Sequence, residues 1–181
     1  MTPFFLQEEI ISELKNNIFK DFVLCSIDKD GNRAEGKQLN VYSQRLPLRK
    51  TIVEEYTQEE LENGLINDQR IDDDFPYIIV ALNEGSIENE SSAQEVSVLL
   101  YIGVYDNAED VNGHKDIINI IEKIYERFAK NPVLAKRYVF KYPMTWALQD
   151  EKEDVDTYPY FFGGIEMKFE TYAMVKEDPL A

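Results

Sequence analysis

Hydrophobic residues recur along this 181-residue chain with two spacings, one typical of helices and one typical of strands. Leucine and isoleucine repeat every four residues from Leu6 to Ile18, which predicts an amphipathic helix over residues 4–22. A second, isoleucine-rich repeat predicts a helix over residues 114–130. Both apolar stripes are wide enough to face a hydrophobic core, and the alternative for the first is a surface that binds a partner.

Six further segments have the apolar patterns of β-strands. They lie at residues 23–27, 37–45, 75–82, 95–105, 137–148 and 159–174. The first two are separated by an Asp-Lys-Asp-Gly-Asn sequence, which predicts a hairpin turn because Asp, Asn and Gly accept positive φ. Both faces of segment 95–105 are apolar, so we expect this strand to be central in a sheet and covered on both sides.

Proline and glycine modify two of these strands. Pro143 removes a backbone donor, which predicts that segment 137–148 lies at a sheet edge or contains a bulge. Gly163 and Gly164 predict a bulge or a close backbone approach near the start of the last strand.

The order of these elements predicts an α+β fold in a single domain spanning residues 1–181. We expect a mainly antiparallel sheet flanked by an N-terminal helix and by a helix at about 114–130. The predicted parts are the N-terminal helix (1–22), an acidic surface loop (51–74), a β-β-α-β-β core (75–174) and a tail (175–181).

Charge and composition narrow the range of functions. The chain has 35 acidic and 19 basic residues, a net charge of −16. Attachment to nucleic-acid backbones or to anionic membranes needs clustered Lys and Arg, so both are disfavoured. The charge is typical of a solvated acidic surface, with two alternatives: a wall that DNA slides past, or a mimic of DNA. Cys25 is the only cysteine, and no signal peptide or membrane-length apolar run occurs, so we expect assembly in the cytoplasm.

Patterns for catalysis or metal binding are weak. Residues 28–32 begin like a calcium loop, but Arg33 and Leu39 stand where that loop needs glycine and a bidentate glutamate. The three aspartates at 72–74 could ligate a hard cation, although consecutive residues rarely converge on one ion. His114 is the only histidine, which excludes His-rich zinc sites. Any catalytic triad would have to use this residue as its histidine. We therefore expect no catalytic, metal or cofactor-binding residues and a protein that is not an enzyme, with a carboxylate-based metal enzyme as the alternative.

Two clusters favour contacts with a partner protein. A basic cluster after the second strand stands out against the acidic background and suits docking onto an acidic neighbour, or is a solvated loop. An aromatic cluster at the start of the last strand could stack on nucleic-acid bases, but the acidic surroundings favour core or subunit-interface packing. The candidate assembly contacts are Arg45, Arg49, Lys50, Tyr160, Phe161 and Phe162.

Several segments, taken in order over about residues 37–172, resemble the tail terminator (tail completion) proteins of tailed bacteriophages. This family includes the caps of contractile tails and of phage-tail-like bacteriocins. The resembling segments are Arg45-Leu46-Pro47, Phe75-Pro76-Tyr77-Ile78-Ile79-Val80, the Leu100–Asp106 strand, Gly113-His114-Lys115-Asp116, Asn131-Pro132, Tyr142-Pro143 to Trp146, and Tyr158-Pro159-Tyr160-Phe161-Phe162-Gly163-Gly164.

The resemblance implies a small α+β fold that assembles as a hexameric ring. Such a ring caps the finished tail tube, stops its polymerisation and offers a joining surface to the head. The implied partners are other copies of the chain, the tail tube protein, the sheath and the head-side connector, with DNA only passing through the lumen. It further implies a virion protein at the head-proximal end of the tail, with no membrane and no cofactor. The alternatives are a head–tail connector or stopper protein and an acidic inhibitor that mimics DNA.

Overall fold

The fold is built on a six-stranded sheet, and two helices pack on one of its faces. The computed structural model describes residues 3–27, 33–47, 74–89, 92–106, 112–149 and 157–171. The predicted α+β class is confirmed, and so is the mainly antiparallel character of the sheet.

The two helices differ in regularity. Helix α1 spans Pro3–Glu13 and continues as a π-helical turn over Leu14–Ile18, whereas α2 spans Gly113–Lys130 without a break. The N-terminal helix is thus shorter than predicted. Asn16 and Asn17 occupy its last turn, and asparagine is a poor helix former because its side chain competes for hydrogen bonds.

The described residues contain eight strands in two sheets. The strands are β1 (Val23–Ile27), β2 (Arg33–Gln38), β3 (Asn40–Ser43), β4 (Tyr77–Ser86), β5 (Glu95–Tyr105), β6 (Val133–Leu134), β7 (Tyr138–Leu148) and β8 (Tyr160–Thr171). Strands β1 and β2 form an antiparallel ribbon, as the predicted hairpin requires. The other six have the order β3-β4-β5-β8-β7-β6, in which only the β3–β4 pair is parallel.

The single strand predicted over residues 37–45 is wrong, because the chain divides there at Leu39. The part before Leu39 pairs with β1, whereas β3 crosses to the main sheet and runs parallel to β4. The Leu39 side chain is buried in the core, which fixes the crossing point. Apolar alternation predicts an extended chain but does not identify the partner strand.

The core lies between the helices and one face of the sheet. Five alternating β5 residues face it, and none of them is more than 2% exposed: Val96, Val98, Leu100, Ile102 and Val104. The apolar stripe of α2 packs against them. Arg127 Nε of α2 donates a hydrogen bond to Glu13 Oε1 of α1, and both side chains are largely buried, so a charged contact links the two helices.

Several predicted features lie outside the described residues. They are the acidic loop at 51–74 (apart from Asp74), the tail at 175–181, and two of the candidate contacts, Arg49 and Lys50.

Candidate assembly surfaces

The face of the sheet opposite the helices, here called the outer face, is only partly covered. On β5 this face carries Gly103, which is buried, and Leu99, which is half-buried. Tyr101 lies between them and is 48% exposed. The prediction that β5 is covered on both sides therefore fails at Tyr101, although the position of β5 between β4 and β8 is central as expected.

One end of the outer face is covered by an outer aromatic cluster, which comprises Phe75, Tyr77, Tyr105, Tyr160 and Phe162. Its ring centroids are 4.9 Å apart between Phe75 and Tyr77, and 5.1 Å apart both between Phe75 and Tyr160 and between Tyr105 and Tyr160. These separations are within the range of favourable aromatic contacts. The cluster is therefore packed as a small second core.

Gly103 allows this cluster to sit directly on the sheet. A Cβ atom at this position would lie 2.4 Å from Cζ of Tyr77, which is far inside contact distance. The Tyr77 ring therefore occupies the space that any other residue would need. Glycine is required here for the close approach of the ring to the backbone.

Two of the predicted contact residues belong to this cluster, and one does not. Tyr160 and Phe162 lie on the outer face, where they are half-buried. Phe161 points to the helix side, where its ring occupies the space next to Gly113 at the start of α2. Successive strand residues face opposite sides of a sheet, so these three side chains cannot form one surface.

The basic residue Arg45 lies apart from the outer aromatic cluster. It is exposed just beyond the end of β3, whereas Tyr77 of the cluster pairs with Asn40 at the start of β3. At that start, the Tyr42 hydroxyl donates to Asp74 Oδ1 over 3.4 Å. Burial, and after it the charge of Asp74, raises the pKa of both Tyr42 and Tyr77. The acidic side chain of Asp74 thus lies beside the outer aromatic cluster, whereas the candidate basic contact Arg45 lies away from it.

The other end of the outer face is polar. Lys168 Nζ lies 3.3 Å from Glu95 Oε1, and Lys141 Nζ lies 2.5 Å from Glu170 Oε2. These pairs bridge β8 to β5 and β7 to β8, respectively. Tyr101 therefore lies between a packed aromatic cluster and a row of ion pairs.

A second exposed aromatic surface, the edge aromatic surface, lies on the helix side of the sheet. It consists of Tyr125 on α2 and of Tyr142 and Trp146 on β7, which are 48%, 63% and 56% exposed. Trp146 pairs with Ile165 and so shares the core-facing side of the sheet. Partial desolvation, together with a hydrogen bond to Tyr125, raises the pKa of Tyr142. The two tyrosines are therefore neighbours.

The position of β7 explains why these side chains are exposed. Strand β6 pairs only with Tyr138 and Val139, so from Lys141 onward β7 has no strand on its far side among the described residues. A bulge lies between Lys141 and Thr145, around Pro143. The prediction made from Pro143, an edge position or a bulge, is confirmed by this bulge. The sequence shows that Tyr142 and Trp146 share a face, but not that this face extends beyond the cover of α2.

The sequence also named candidate metal-binding and catalytic residues. No group of three or more His, Cys, Asp or Glu side chains in the described ranges could hold a metal ion. His114 is exposed at the start of α2, and residues 28–32, Asp72 and Asp73 lie outside the described part. Neither helix in that part is long and apolar enough to cross a bilayer. No protein-family model matches the chain, and no curated protein matches it.

Proposed function

We propose that this protein is a tail terminator of a tailed bacteriophage or of a phage-tail-like particle. In this role a ring of copies binds the head-proximal end of the tail tube, stops its polymerisation and provides the surface that joins the head. Two features support the proposal: the ordered segments that resemble this family, and an α+β fold of the kind the family implies.

The observation that carries the proposal is the uncovered part of the outer face around Tyr101. A central strand with apolar residues on both faces normally has both faces covered. Here Tyr101 is 48% exposed on β5, between the outer aromatic cluster and the ion pair of Lys168 with Glu95. An aromatic centre with a polar rim is typical of protein–protein interfaces. We assign this surface to contact with the tube.

The charge of the chain is compatible with a ring that DNA crosses. At a net charge of −16, a lumen lined by this protein repels the phosphate backbone, so DNA passes without attachment. The same charge favours a second candidate, an acidic inhibitor that mimics DNA. That alternative predicts salt-sensitive binding to a basic protein and no ring.

The test combines mass measurement in solution with electron micrographs of the protein, alone and with tail tubes of the same particle. A terminator forms rings that sit at one end of each tube. Binding to the portal complex in preference to the tube would instead identify a head–tail connector or stopper. Monomers in both conditions would contradict the proposal.

A Tyr101→Ala variant tests the assigned surface. Aromatic residues at the centre of an interface commonly contribute 2 kcal/mol or more, so tube binding is expected to weaken at least ~10-fold while rings persist. Tyr158→Ala is the matched control, because Tyr158 is also 48% exposed but precedes β8. Equal tube binding by the two variants would show that the outer face is not the tube contact.

A further inference from the structure

We infer that neighbouring copies of this chain join head to tail, with the edge aromatic surface of one copy seated on the α1–β4 side of the next. The inference deepens the proposed function and rests on it, since a ring needs a contact between copies. It assigns that contact to named residues on two opposite sides of the sheet.

The edge aromatic surface has the composition of an interface centre. Tyr125, Tyr142 and Trp146 are each about half exposed or more, and Met144, which packs against the core, lies between the last two on β7. Tyrosine, tryptophan and methionine are enriched at the centres of protein interfaces, and tyrosine and tryptophan dominate their binding energy. The side chains carry the contact, because Pro143 and the bulge interrupt the strand edge for backbone pairing.

Charge identifies the partner as a second copy. Residues 112–149, which form α2, β6 and β7, contain seven basic and three acidic residues in a chain whose net charge is −16. The described residues of 74–106, which form β4 and β5, contain five acidic residues and no basic one. Strands β4 and β7 lie toward opposite edges of the main sheet. The α1–β4 side adds the exposed Glu8 and Glu9, and Arg45 beyond β3 is a basic residue there, so each copy has a side with a basic excess and a side with an acidic excess.

The acidic side also offers exposed apolar side chains. Phe4 and Phe5 of α1 are 57% and 56% exposed, and Ile87, just after β4, is 62% exposed. Helix α1 packs on β4 and β3, so these elements form one side of the molecule. The exposed acidic residues on this side include Glu8, Glu84 and Glu88.

Complementarity favours a head-to-tail contact over a twofold one. A twofold dimer through the edge aromatic surface would place two basic sides against each other, which is unfavourable. A head-to-tail contact places the basic side of one copy against the acidic side of the next. After one such contact, each of the two copies still has its opposite side available, so further copies can add in the same way. The result is a ring when the rotation from one copy to the next closes on the first copy.

A charge-swap experiment tests the pairing of the two sides. One variant, Lys115→Glu with Arg137→Glu, reverses two charges on the basic side and removes its basic excess. The other, Glu84→Lys with Glu88→Lys, reverses two charges on the acidic side and removes most of its acidic excess. All four residues are exposed. Each variant alone loses most of the charge complementarity between the two sides, so we expect its rings to dissociate at concentrations where those of the wild type persist. An equimolar mixture restores rings in which the two variants alternate, which native mass spectrometry resolves.

A Trp146→Ala variant tests the aromatic part of the contact. Association between copies is expected to weaken at least ~10-fold. Tyr158→Ala is the control, since Tyr158 is 48% exposed, precedes β8 and lies outside the edge aromatic surface, and its rings should persist. Circular dichroism and thermal melts of every variant establish that the fold is retained.

The outcomes separate this inference from the proposed function. If the wild type forms rings and the Trp146→Ala and charge-swap variants form them equally well, the inference is wrong and the proposed function stands. A wild type that stays monomeric with and without tubes would overturn both. A twofold dimer lost in Trp146→Ala would overturn the head-to-tail arrangement. Duplex DNA binding that is lost in the Lys115→Glu, Arg137→Glu variant, with assembly unchanged, would assign the basic side to nucleic acid instead.

Discussion

Substitution of Gly103 by alanine is expected to disturb the outer aromatic cluster. The added Cβ atom would lie 2.4 Å, 2.6 Å and 2.8 Å from three atoms of the Tyr77 side chain. Carbon atoms in contact are normally ~3.5–4.0 Å apart, so the ring has to move by about 1 Å. The Phe75 ring packs against that of Tyr77, with the two centroids 4.9 Å apart, so this movement has to disturb their contact.

The expected cost follows from overpacking. Extra methyl groups in a packed site typically destabilise a protein by about 1–3 kcal/mol. Alanine also restricts the unfolded chain relative to glycine, which contributes ~0.4–1 kcal/mol in the opposite direction. A Gly164→Ala control has the same unfolded-state effect, but its Cβ would be 3.7 Å from the nearest atom, Leu100 O, an ordinary contact. The difference between the two variants therefore isolates the clash.

Urea and thermal unfolding, followed by circular dichroism at one fixed protein concentration, measure this difference. Gly103→Ala should be less stable than Gly164→Ala by about 1–3 kcal/mol, or by ~2–12 °C in Tm at 2–4 °C per kcal/mol. Equal stability of the two variants would refute the packing of Tyr77 on Gly103. Circular dichroism is preferred to fluorescence because Trp146 is 56% exposed and reports poorly on the core.

Three other substitutions test the core, the helix contact and a buried hydroxyl. Ile124 is fully buried, so Ile124→Ala should lower the free energy of unfolding by ~2–5 kcal/mol in urea titrations. Arg127→Ala should cost ~1–3 kcal/mol, because Glu13 loses its partner, and a cycle with Glu13→Gln should show that the two effects are not additive. The Tyr138 hydroxyl is buried without a hydrogen-bond partner, so Tyr138→Phe should leave stability unchanged or raise it by up to ~1 kcal/mol. Burial raises the pKa of Tyr138, so the folded state holds this proton more tightly than the unfolded state. Stability should fall as the pH rises above about 10, and a pH series of melts should show a weaker fall in Tyr138→Phe.

The elements that could be predicted from sequence are those whose apolar pattern extends over several helical turns or over several alternations along a strand. Helix α2 and strand β5 have such patterns, and the structure gives them at Gly113–Lys130 and Glu95–Tyr105. Their burial depends mainly on their own side-chain spacing. The bulge at Pro143 was equally predictable, because proline acts locally on the backbone.

Partner choice between strands could not be predicted in the same way. The parallel pairing of β3 with β4 joins segments more than 30 residues apart, and nothing in the β3 sequence specifies it. The exposed edge of β7 has the same origin, since it follows from which strand lies beside β7 and not from β7 itself. The edge aromatic surface was therefore not predicted, although the period of two along a strand places two of its residues, Tyr142 and Trp146, on one face.

The predicted aromatic contact shows a different limit. Residues 160–162 form a compact cluster in the sequence, but the strand places Phe161 on the helix side and its two neighbours on the outer face. The period of two along a strand was sufficient to predict this separation. The roles of Tyr160 and Phe162 in assembly remain predictions, as does that of Arg45.

The proposed function is tested most directly by following tube polymerisation in the presence of this protein. Tail tube protein of the same particle is allowed to polymerise with increasing amounts of the chain, and tube lengths and tube ends are measured in electron micrographs. A terminator gives shorter tubes at higher dose, each with a ring at one end and no further growth there. Tubes of unchanged length with bare ends at every dose would contradict the account.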